Sequence, residues 1–144
     1  METALDFWLG DWDCRFEGGR ATNHVTREYD GHVVVERFAT LPGPEEPPAE
    51  GFEGLSVSVH DPVTDTWRQT WVDSDGSYWA FRGSPLPGGS FEFRTPTRVD
   101  ADQVFKRMVF SDIESDRFHW RWEFSADGEA WQEKWAIDYI RAQP

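Results

Sequence analysis

The stretch Arg117-Phe118-His119-Trp120-Arg121-Trp122-Glu123-Phe124 decides the fold. Its rings fall at 118, 120, 122 and 124, and its charged or polar side chains at 117, 119, 121 and 123. A period of two is that of a β-strand, whose successive side chains point to opposite faces. One apolar and one polar face together predict an antiparallel sheet packed on one side only. Ser125-Ala126-Asp127-Gly128 follows as a turn, because Asp and Gly supply the backbone angles a tight reversal requires. The next run, 130–140, then carries Trp131, Glu133, Trp135, Ile137 and Tyr139 on one predicted face.

Working outward, the same pattern of β-branched and aromatic runs broken by Gly, Asp and Pro gives ten strands. They are expected at 11–17, 21–29, 32–39, 52–60, 66–73, 77–83, 90–95, 103–111, 117–124 and 130–140. Gly18-Gly19, Asp30-Gly31, Asp75-Gly76 and Pro87-Gly88-Gly89 punctuate the rest. Strands joined by short turns are antiparallel neighbours. A ten-strand meander closes to remove its edges, so the expected fold is all-β, an up-and-down antiparallel barrel in one domain, 1–144. Residues 3–10 are expected to form one helical turn, capped by Thr3 with Asp6 in the capping-box position and ended by Gly10. Phe7 and Trp8 would plug one mouth of the barrel. The Pro- and Glu-rich segment 41–51 reads as a loop over one mouth.

The chain has 144 residues, of which nine are Trp and eleven Phe. Its core is therefore built from large rings. Lys and Arg total 14 against 27 Asp and Glu, a net charge of −13. That charge repels phosphate backbones and anionic membranes, so neither nucleic acid nor membrane is expected as a partner. No apolar run reaches 18 residues, and the N-terminal residues do not read as a signal peptide, so a cytoplasmic location is expected. One cysteine, Cys14, allows no internal disulfide.

Gly10-Asp11-Trp12 at the first strand and Tyr139-Ile140-Arg141 at the last resemble the calycin superfamily, which contains lipocalins and fatty-acid-binding proteins. The resemblance implies a barrel in which Arg141 packs across the Trp12 ring as a cation–π lock at the closed end. The wider set Phe7-Trp8-Leu9-Gly10-Asp11-Trp12, Trp67-Arg68-Gln69-Thr70-Trp71-Val72-Asp73, Phe118-His119-Trp120, Ser125-Ala126-Asp127-Gly128 and Trp131 is similar to a bacterial lipocalin-like family of unknown function. It implies a fold and no activity. Nitrobindin-like haem barrels are similar in shape, but their Gly-x-Trp-x-Gly-x-Gly would need glycine where this chain has Cys14 and Phe16.

Alternation places Trp67, Gln69, Trp71 and Asp73 on one inward face, Trp79 and Phe81 on another, and Phe91 and Phe93 on a third. Trp12, Cys14 and Phe16 face inward from the first strand. Parity stays open in 103–111, where Phe105, Arg107 and Val109 compete with Val104, Lys106, Met108 and Phe110. It stays open also in 32–39, where Val33 and Val35 oppose Val34, Glu36 and Phe38. The expected function is binding of a small apolar or aromatic molecule in an internal cavity. The ligand would lie on Trp67, Trp71, Trp79, Phe81, Phe93, Trp120, Trp122, Trp135 and Tyr139, and be oriented by Gln69, Arg107 and Glu133. Glu133 among rings would have its pKa raised and is the candidate general acid or base, with Arg107 or Tyr139 as partner. A cofactor-free cyclase, isomerase or lyase using the same cavity is the enzymatic alternative. A structural protein with a filled barrel and a haem-binding barrel complete the alternatives. His24, His32, His60 and His119 show no metal-ligand spacing, and no cofactor is expected. A homodimer is a further expectation, since small acidic barrels often pair.

Overall fold

Ten short strands linked by tight turns leave two unpaired edges unless the last strand meets the first. The computed structural model, which describes residues 2–47 and 50–143, shows that they meet. The strands are β1 (Gly10–Phe16), β2 (Gly19–Glu28), β3 (Val33–Thr40), β4 (Glu53–Asp61), β5 (Thr66–Asp73), β6 (Tyr78–Pro85), β7 (Phe91–Arg94), β8 (Phe105–Ser111), β9 (Arg117–Ser125) and β10 (Gln132–Arg141). Each pairs antiparallel with its neighbour in sequence, and β10 pairs with β1 through Trp12 opposite Arg141. The expected all-β, up-and-down barrel is thus the fold. No helix among the described residues is long and apolar enough to cross a membrane.

The two ends of the barrel differ. At one end Leu5, Trp8, Trp12, Phe93, Phe110 and Phe118 are buried together. The N-terminal turn seals this end, as a 3₁₀ turn over Asp6–Trp8 that is shorter than the expected 3–10. It has no side-chain cap: Thr3 contributes only its carbonyl, which accepts the N–H of Asp6. Asp6 is instead used by β2, where Arg27 Nη2 donates to Asp6 Oδ1 at 2.5 Å. The Arg141 guanidinium lies 4.2 Å from the Trp12 ring centre. It also donates from Nη1 to Leu9 O at 2.8 Å and from Nε to Ser115 O at 3.0 Å. This explains Gly10: its φ is +123°, and a Cβ there would sit 2.5 Å from Arg141 Nη1. At the opposite end β3 and β4 are joined by the expected loop, exposed from Leu41 to Pro47; Pro48 and Ala49 lie outside the described residues.

Two open parities settle, and a third goes against expectation. In β3, Val34, Glu36 and Phe38 are buried and face inward. In β8 the inward set is Lys106, Met108 and Phe110, so Arg107 faces outward. There its Nε donates to Glu123 at 2.8 Å and its Nη1 to Glu92 at 3.1 Å, with the guanidinium 4.2 Å from the Trp131 ring centre. In β10 a bulge intervenes: Glu133 pairs with Glu123, but Trp135 pairs with Trp122. Two residues of β10 thus span one of β9, and the inward face changes parity across the bulge. Trp135, Ile137 and Tyr139 face inward, while Glu133 is exposed on the outside. Trp131 is outside too, against Arg94 and Arg107. The β9–β10 turn is fastened by Asp127, whose Oδ1 accepts the N–H groups of Ala130 at 2.9 Å and Glu129 at 2.8 Å. These bonds hold its carboxyl down at about 2.

Candidate functional site

Toward the open end the inward rings change role. Trp71, Trp79, Trp120, Trp122 and Trp135 all point into the barrel yet are only half-buried. They surround a cavity of about 200 Å³. A dry pocket of about 150 Å³ holds a benzene ring, so this one suits a molecule of one or two rings. Phe38, Phe52 and Phe81 complete the walls, and Asp73, Asp75 and Ser77 from the β5–β6 turn line the rim. Local geometry fixes the rings. Trp71 Nε1 donates to Asp73 Oδ2 at 2.8 Å, and Trp79 Nε1 to Asp100 Oδ2 at 2.9 Å. Trp120 meets Trp135 edge to face at 5.6 Å between centroids. Gly54 makes room for the Trp71 ring, whose nearest atom would lie 2.1 Å from a Cβ there.

Beneath the rings lies a polar seam. Glu36, Met108, Ile137 and Tyr139 also line the cavity. Glu36 is 6% exposed. Its Oε2 accepts from Asn23 Nδ2 at 2.7 Å and its Oε1 from Ser56 Oγ at 2.7 Å. Asn23 Nδ2 also donates to Tyr139 Oη at 3.0 Å, and Cys14 lies within hydrogen-bonding reach of that hydroxyl. Farther along the seam Gln69 Nε2 donates to Ser58 Oγ at 3.0 Å. Burial pushes the Glu36 carboxyl up from its ordinary value, and the two donated hydrogen bonds only partly oppose this. Burial likewise pushes up Cys14 and Tyr139, so both stay protonated at neutral pH. Two buried acceptors, Asn23 Oδ1 and Gln69 Oε1, have no hydrogen-bond donor among the described residues.

Seven of the expected ligand residues come together on this cavity: Trp71, Trp79, Phe81, Trp120, Trp122, Trp135 and Tyr139. Four others do not. Trp67 and Phe93 face inward but are locked in the sealed end, and Gln69 sits in the seam without lining the cavity. Arg107 is on the outer wall, held by Glu92 and Glu123. The expected acid or base, Glu133, lines an outer groove with Arg15, His119 and Lys134, separated from the cavity by the barrel wall. Glu36 takes the interior position that Glu133 was expected to hold. Its signal in the sequence is the pair Arg37-Phe38, which puts Phe38, and hence Glu36, on the inner face.

No histidine lines the cavity, so its residues do not fit a histidine-ligated haem. Among the described residues no three His, Cys, Asp or Glu side chains form a metal-holding group. No family model matches the chain, and no curated protein matches it significantly.

Proposed function

We propose that the protein is a calycin-like binding barrel whose open end takes a small aromatic or apolar molecule. One observation carries this reading: five tryptophans face inward and remain half-buried around a cavity, whereas the rings of the packed end, among them Trp8, Trp12, Phe93 and Phe110, are buried. Ligand pockets have this character, with apolar walls and a few placed polar groups. A purely structural barrel has no need to leave such rings unpacked, since an exposed ring forfeits burial at roughly 25 cal/mol per Å². The Trp12–Arg141 stack at the sealed end supports the calycin likeness.

Titration of one- and two-ring aromatic compounds against tryptophan emission tests the proposal. Saturable quenching is expected. Trp120→Ala and Trp122→Ala, checked for retained fold by circular dichroism, are each expected to weaken binding by about 1–3 kcal/mol, as loss of a large apolar contact does. A diverse panel that leaves the emission unchanged would return the barrel to a structural role.

A further inference from the structure

The cavity's charge says more than its shape. Its lining holds three carboxyl groups, Glu36, Asp73 and Asp75, and no lysine, arginine or histidine. Asp73 is occupied: its Oδ1 accepts the N–H groups of Asp75 and Ser77, and its Oδ2 accepts from Trp71. Glu36 is different. Each of its oxygens accepts one hydrogen bond, from Asn23 and from Ser56, and both donors are neutral. A carboxylate accepts about four hydrogen bonds, so acceptor capacity remains. Asn23, which does not itself line the cavity, spends both of its N–H groups on Glu36 and Tyr139, so it brings Glu36 one neutral donor and no charge. Burial disfavours the ionised form of Glu36 while no cation is beside it, and a cation bound in the cavity would favour that form. What the site lacks is a group with several donors and a positive charge.

The walls favour the same group. The faces of aromatic rings attract cations, most of all those of Trp. The barrel already uses this pairing beside the cavity. Lys106 Nζ lies 4.4 Å from the Phe124 ring centre and 5.2 Å from that of Trp79, with Asp100 as its carboxylate at 2.5 Å. Lys106 is thereby neutralised and does not line the cavity.

We infer that the ligand is a hydrophobic amine, bound as its ammonium ion, with its apolar part among Trp71, Trp79, Trp120 and Trp122 and its charged end on the Glu36 carboxylate. The inference rests on the binding role proposed above and names its ligand class. Carboxylate ligands such as fatty acids are disfavoured by the same arrangement, because nothing lining the cavity would pair with them.

The test is a matched series on the wild-type protein at neutral pH, read by calorimetry: 2-phenylethylamine, 2-phenylethanol and 3-phenylpropionate. The amine is expected to bind about tenfold or more tightly than the alcohol, and the acid most weakly. In Glu36→Gln the amine is expected to lose that advantage while the alcohol keeps its affinity within about threefold. The wild-type ranking requires no variant, so it decides even if Glu36→Gln does not fold. An alcohol that binds as well as the amine, or an acid that binds better, would overturn the amine assignment and leave the binding role intact. No binding of any of the three would overturn both.

Discussion

Glu36 is the residue on which the interior chemistry turns. Its carboxyl is buried beside two neutral donors, so in the native state the charged form is disfavoured and the proton is held to higher pH. In the unfolded chain the same group titrates near its ordinary 4.5. Above that value the native state binds more protons than the unfolded one, so this group's contribution to stability falls as pH rises toward its native value. The contribution is fully present below about 4.5. Glu36→Gln keeps the shape and removes the titration. Urea unfolding of both proteins across pH 4.5–8 is expected to show the variant gaining on the wild type as pH rises. The difference changes by at most about 1.4 kcal/mol per pH unit, the limit for one proton. A difference that stays flat with pH would show that Glu36 ionises alike in both states. Tyr139 and Cys14, its titratable neighbours across the seam, are pushed upward by burial and do not ionise in this window.

At the scale of elements the barrel depends on the seam where β10 returns to β1. Arg141 crosses it, stacked on Trp12 and donating to carbonyls on both sides, Leu9 and Ser115. Arg141→Ala is expected to cost about 1–2 kcal/mol in chemical denaturation, since a half-exposed cation–π contact and its hydrogen bonds are lost together. Arg141→Lys should recover only part, because an ammonium cannot reproduce the planar fork. Ligand affinity should not change in either, as Arg141 and its partners lie at the sealed end, away from the cavity lining. The elements themselves were legible in sequence: strict alternation in 117–124 and the Asp-Gly turns place every strand within a few residues of its position. The site was legible where one face was plainly aromatic, as with Trp71, Trp79, Trp120 and Trp122. It was not legible where something outside local alternation decides the face. At Glu133 an inserted residue reverses parity, and strict period-two counting cannot register a bulge. At Arg107 both faces of β8 carry apolar and basic residues, and the choice is made by Glu92 and Glu123 on neighbouring strands. At Glu36 the three valines before it, Val33 to Val35, hide the alternation that Phe38 alone reveals.

For the whole molecule, the net charge of −13 sets a field that attracts any cation toward the barrel before it reaches the mouth. Two electrostatic contributions to amine binding therefore coexist, and salt separates them. The long-range one acts through water, over about 30 Å at 10 mM ionic strength and about 3 Å at 1 M. The local one acts at Glu36, which is buried and little screened. The preference for 2-phenylethylamine over 2-phenylethanol is expected to fall as sodium chloride rises from 10 mM to 1 M, and then to level off well above unity. The plateau belongs to the Glu36 contact, so it should vanish in Glu36→Gln while the salt-dependent part survives, because the variant removes only one of 27 acidic residues. A preference that salt abolishes completely in the wild type would assign the selectivity to the overall charge rather than to the cavity, and the surface carboxylates instead of Glu36 would then be the groups to vary.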